Sequence, residues 1–151
     1  MKKTQKKLGN KGFSLVELIV VIAIMAVLVG VLAPTLIRNV EKSRESTDLQ
    51  NLDSVRQAVI TAMSDEGVAA EYASGGSFDV VSGSGAYAAA KPSMSKEMSA
   101  TLAGGITFKS SAAKGKTCTV EIDANGKVKV GVYYGGSLVA CKRNTGNFVS
   151  E

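Results

Sequence analysis

From Phe13 to Ala33 the chain is almost continuously apolar: twenty-one residues interrupted only by Ser14 and Glu17, with no charge at all over Leu18–Ala33. At about 1.5 Å per helical residue, such a run matches a bilayer hydrocarbon core of about 30 Å. The pattern therefore predicts a membrane-length helix over residues 13–34. Beyond Pro34 the pattern turns amphipathic. Leu52, Val55, Val59 and Met63 recur at spacings of three, four and four, on one helical face, with Leu49, Arg56 and Ile60 beside it. Glu41, Lys42, Arg44, Glu45, Asp48, Gln50 and Asp53 fill the rest, and Gly67 reads as a stop, giving an amphipathic helix over 35–66. The continuous element from Phe13 to Ser64 is expected to be about 78 Å long. Half of it then needs lipid or other copies of the chain to cover it.

Residues 67–116 carry little periodicity. They are rich in Gly, Ser and Ala, as in Ala73-Ser74-Gly75-Gly76, and Ser82–Gly85 reads as plain loop. A short helix is expected after Pro92, over about 94–102, because proline suits a first helical turn. Ile106-Thr107-Phe108-Lys109 reads as a first strand. Over 117–151 the pattern changes to period two. Cys118, Val120 and Ile122 alternate with Thr119, Glu121 and Asp123, and Val128, Val130, Val132 and Tyr134 alternate on a return strand. Asp123-Ala124-Asn125-Gly126 is the turn between them, too short for a calcium loop. Gly135-Gly136 turns again into Leu138–Lys142. The prediction is an α+β chain: a long N-terminal helix packed, through its stripe, on a small C-terminal antiparallel meander.

Charge sharpens this picture. The net charge is +5, but residues 1–12 hold Lys2, Lys3, Lys6, Lys7 and Lys11 and no acid, which leaves 13 basic and 13 acidic residues in the remainder. The basicity is thus a topology signal that keeps the N-terminus cytoplasmic and sends everything past Pro34 outside. A secretory signal peptide is the first competing reading. The apolar run is long for one, and the residues after Pro34 stay in a helical register. A plain single-pass anchor is the second, but it gives no role to Glu17. A carboxylate among apolar residues at membrane depth needs a partner.

Gly12-Phe13-Ser14-Leu15-Val16-Glu17 resembles the prepilin signature of type IV pilins and their pseudopilin relatives, and the resemblance extends over about 11–63. It implies cleavage after Gly12 by a membrane prepilin peptidase and N-methylation of the new terminus, Phe13. It also implies an assembly role for Glu17, which would pair with the Phe13 ammonium of a neighbouring subunit and so set register. By chemistry alone an ammonium and a carboxylate four positions apart could pair within one helix or between subunits, since opposite charges attract far more strongly at low dielectric than in water. The resemblance, together with the hydrophobic pattern of the residues beyond it, divides the chain into a leader at 1–12, a membrane and filament-core helix at 13–34, the amphipathic helix at 35–66, a variable region at 67–116 and a meander head at 117–151.

Gly30 and Pro34 form a second constellation. Pro34 has no N–H for the Gly30 carbonyl, and Gly30 lowers helix propensity, so the pair marks a weak point. One reading is an ordinary kink; the resemblance implies a segment able to unwind in a filament. Cys118 and Cys141, an even number in the part placed outside the cell, are expected to form a disulfide. Against this, a meander sets its first and third strands about 10 Å apart, beyond reach unless the edge curls. Charge also divides along the chain. Residues 41–79 hold eight acids against three bases, and residues 109–143 hold seven bases against two acids. Packing within or between subunits accounts for that. A basic head that binds DNA is the alternative of another class.

With no His and no clustered nucleophile or carboxylate site, no catalysis, cofactor or metal is expected. The resemblance implies a filament subunit serving adhesion or motility, with a pseudopilin of a type II secretion or DNA-uptake machine as the alternative. The implied partners are further copies of the chain, minor pilins, the prepilin peptidase, an assembly ATPase and its inner-membrane platform. The implied location is the cytoplasmic membrane as a single-pass precursor, then a cell-surface filament.

Overall fold

A computed structural model describes residues 12–81 and 86–151. The lysine-rich leader up to Lys11 and the Ser82–Gly85 loop lie outside the described residues. The chain divides into two compact units, one ending at Ile37 and one comprising Arg38–Glu151.

Helix α1 spans Leu15–Ala62 and runs through Pro34 without interruption. In the first unit it is an apolar rod. Its most apolar 18-residue window has a mean hydropathy of 3.1 and none of it is buried within the chain, so the helix is long and apolar enough to cross a membrane. Exposed side chains run from Phe13 through Ile37. An apolar surface this continuous is stable only against lipid or protein.

In the second unit α1 becomes amphipathic. Leu52, Val55, Ala58, Val59 and Ala62 are buried there, and Met63 packs at the margin. The expected stripe is therefore the buried face. The helix stops at Ala62, and a separate helix α2 covers Glu66–Glu71. Gly67 is thus inside α2 and does not end α1. Asp65 explains the break, because its Oδ1 accepts the N–H groups of Gly67 and Val68 as an N-cap.

Strand β1 is Gly76–Val80, helix α3 is Pro92–Thr101, and strands β2 to β5 are Thr117–Ile122, Val128–Tyr134, Ser137–Leu138 and Val149–Ser150. The sheet order is β1-β2-β3-β4, with β5 also paired to β3, and all pairings are antiparallel. Phe78 and Val80 of β1, Cys118, Val120 and Ile122 of β2, and Val128, Val130 and Val132 of β3 point into one core with the α1 stripe. The α+β architecture read from the pattern is present, and so is the turn at 123–126. There Asp123 Oδ1 accepts the N–H groups of Asn125 and Lys127, and Gly126 takes φ +79°.

Two expectations about the strands also need correction. The sheet begins at β1, inside the Gly- and Ser-rich stretch that carried no pattern. Ile106–Lys109 is not a strand. Its two large apolar side chains are buried, but the N–H of Lys109 goes to Asp48 of α1. A segment whose backbone donor is taken by a helix carboxylate there is not paired in the sheet.

Candidate functional site

The N-terminal constellation forms the mouth of α1. Gly12 has open space where a Cβ would stand, and Phe13 is 91% exposed. Ser14 precedes the first helical residue. Its Oγ accepts the N–H of Val16 at 3.3 Å, while Glu17 Oε2 accepts the N–H of Ser14 at 3.0 Å. This reciprocal Ser-x-x-Glu arrangement is a variant of the capping box in which the serine takes the N–H of the second helical residue in place of the third. It satisfies two helix-end donors that have no intrahelical partner. The resemblance assigned Glu17 only an intersubunit role; the signal for the cap, a serine three residues before a glutamate at the head of an apolar run, was present in the sequence. Phe13, Glu17, Val16, Val20 and Val21 line a shallow hollow on this end of the helix.

Gly30 and Pro34 sit in unbroken helix, with nothing within 4 Å of the position a Gly30 Cβ would take. The chain by itself therefore carries the missing donor at Pro34 without local melting.

Cys118 and Cys141 are free thiols, which corrects the expected disulfide. Cys118 is in the middle of the sheet, between Val80 of β1 and Val132 of β3. Cys141 follows β4, on the far side of β3. Two strand spacings separate them, roughly 10 Å, well beyond disulfide reach. Burial, with a smaller contribution from Asp79, pushes the Cys118 thiol up to about 12. Cys141 is raised as well, chiefly by burial and then by Glu45.

A row of carboxylates on α1 went unrecognised in the sequence. Glu41, Glu45 and Asp48 lie at i, i+4 and i+7, one face of the helix. Glu45 and Asp48 have no exposed surface. Glu45 accepts the N–H groups of Lys142, Arg143 and Asn144 at 2.7, 2.9 and 2.8 Å. Asp48 accepts those of Lys109 and Ser110, the latter at 2.8 Å. Glu41 accepts the N–H of Ser111, which, as the main cause, holds its carboxyl below the ordinary carboxylate range. Successive N–H groups converging on one carboxylate make a nest with an internal anion. The opposed acidic and basic segments therefore meet within one chain, through the backbone of the basic loops and not through their ammonium groups.

Residues 7–33 match the family model of the prokaryotic N-terminal methylation motif, the prepilin-type signature of type IV pilins and pseudopilins. No curated protein and no solved structure matches the chain. The motif supports a type IV pilin or pseudopilin class, implies processing by a prepilin peptidase and assembly into a pilin-type polymer, and with the apolar helix fits a membrane-anchored precursor.

Proposed function

We propose that the chain is a non-enzymatic structural subunit of a type IV pilus-like surface filament serving adhesion or motility. In this reading a precursor held in the cytoplasmic membrane is cut after Gly12 and methylated on Phe13. An assembly ATPase and membrane platform then move it into the filament, where the apolar half of α1 exchanges lipid for the same surface on other copies. Cleavage turns the Phe13 nitrogen into an ammonium and so creates the counter-ion for Glu17. The observation that carries the reading is the coincidence of a cleavage-type Gly12–Phe13 bond, Glu17 in the first helical turn and an apolar helix window with no cover of its own.

N-terminal mass spectrometry of the protein recovered from its own cells tests it. A chain beginning at methylated Phe13 is expected; an intact Met1 would overturn the reading. Gly12→Ala is expected to leave a precursor heavier by about 1.3 kDa, the mass of a twelve-residue leader.

A further inference from the structure

We propose that the hollow formed by Lys116, Tyr134 and Lys142 on the second unit binds single-stranded nucleic acid, with phosphates on the cations and a base against Tyr134. Lys116 and Lys142 come from loops far apart in sequence. Asp48 and Glu45 bring those loops together by holding the backbone at Lys109–Ser110 and at Lys142–Asn144 on one face of α1. Because those carboxylates are spent on N–H groups, they leave the ammonium groups unneutralised. Among the described residues the ion pairs are Arg44–Glu41 and Lys129–Glu151, and neither involves Lys109, Lys114, Lys116, Lys142 or Arg143. Glu41, the acid whose carboxyl feels Lys142, is already engaged by the Ser111 N–H and by Arg44.

The hollow itself has a volume of about 230 Å³, with Leu138 and Val139 as its apolar floor. Lys116 Nζ sits over one face of the Tyr134 ring, 4.9 Å from its centre, and Tyr134 is 70% exposed, so a base would stack on the opposite face. Lys116 also lines an adjoining hollow with Lys114, which extends the cationic track. Cations alternating with an exposed ring are what a single strand uses: phosphates follow the charge and bases stack on the aromatic face. A free phosphate has no use for the ring. The same geometry sets aside two other lysines of the basic 109–143 segment. Lys129 is paired with Glu151, and Lys127 precedes the start of β3, about 20 Å from Tyr134 at its other end.

The test uses the full chain in detergent and fluorescence anisotropy with a labelled oligothymidylate of about 20 nucleotides, between about 50 and 200 mM salt. Every variant keeps the same lysine-rich leader, so its contribution cancels in the comparison. The double variant Lys116→Gln, Lys142→Gln is expected to bind about tenfold or more weakly, with the salt slope reduced by about 1.4 for two lost phosphate contacts. Tyr134→Ala is expected to weaken binding about tenfold with the slope unchanged. Lys127→Gln is expected to behave as wild type. Absence of binding by the wild-type chain at about 50 mM salt would overturn the proposal, as would an equal loss in Lys127→Gln. Displacement by inorganic polyphosphate combined with an unaltered Tyr134→Ala variant would replace it with a general polyanion site. The substituted side chains are exposed or lie at the hollow's rim, and unchanged thermal melts confirm that the differences are in binding.

Discussion

Glu45 and Asp48 are carboxyl side chains with no exposed surface, and together they accept five backbone N–H groups from two loops. Removing one leaves donors unsatisfied next to the core. Glu45→Ala is therefore expected to destabilise the second unit by about 2–4 kcal/mol, and Glu45→Gln by about 1–2 kcal/mol. Glutamine keeps one acceptor oxygen but turns an NH2 toward a third N–H. Urea unfolding followed by tyrosine fluorescence gives both values. The thiols make a second prediction at this scale. Cys118 is 1% exposed with its thiol pushed up to about 12, whereas Cys141 is half-buried. A thiol reagent is expected to label Cys141 in the native chain and Cys118 only after unfolding. The total should be two thiols with or without reductant; a total of zero without it would mean that the bond forms. None of these carboxylate contacts was legible in the sequence. Glu45 and Asp48 stand among polar residues on what reads as a solvated helix face, and their partners are backbone groups, which carry no sequence signal. The capping box differs: Ser14 and Glu17 are three residues apart, so its signal is local and stood in the sequence, although the reading of Glu17 there passed over it.

Among the elements, α1 and the β2–β3 hairpin were legible because period and turn chemistry agree over many residues. Strand β1 was hidden because Gly76 and Ser77 give it only Phe78 and Val80 as inward residues. Ile106–Lys109 misled for the opposite reason. Its apolar side chains are buried as in a strand, but backbone pairing is a tertiary choice, and Asp48 wins the Lys109 N–H. Helix α3 was legible from Pro92, though not its cap. Lys91, at the N-cap, makes no side-chain cap bond. Glu71 at the end of α2 supplies it instead, accepting the Ser93 N–H at 3.2 Å and the Ser93 hydroxyl at 3.0 Å. Lys91 Nζ in turn donates to the Glu71 carbonyl and lies 4.7 Å from the Tyr72 ring centre. Glu71→Ala thus removes a cap supplied in trans and is expected to cost about 1–2 kcal/mol. Faster amide exchange over the first turn of α3 than over β2 and β3 would locate the loss there; uniform exchange across the unit would not fit this account.

For the whole molecule the question is what Glu17 does once the chain is cut. Within the chain its carboxylate already has a partner, the Ser14 N–H, so the membrane helix does not carry an orphan acceptor. That weakens the argument that Glu17 at membrane depth demands an intersubunit partner, and it defines a sharper experiment. Glutamine is accepted at the third helical position of a capping box as readily as glutamate. If capping were the whole role, Glu17→Gln would assemble normally and only Glu17→Ala would fail. If the Phe13 ammonium is the working partner, both variants lose the charge that attracts it, and low dielectric makes that loss large. We expect both Glu17→Gln and Glu17→Ala to abolish surface filaments. In detergent micelles, circular dichroism should show helix content retained in the glutamine variant and slightly reduced at the N-terminus in the alanine variant. Electron microscopy of the cells reads the first outcome. Normal filaments from Glu17→Gln would reduce Glu17 to a cap and move the source of register elsewhere on α1.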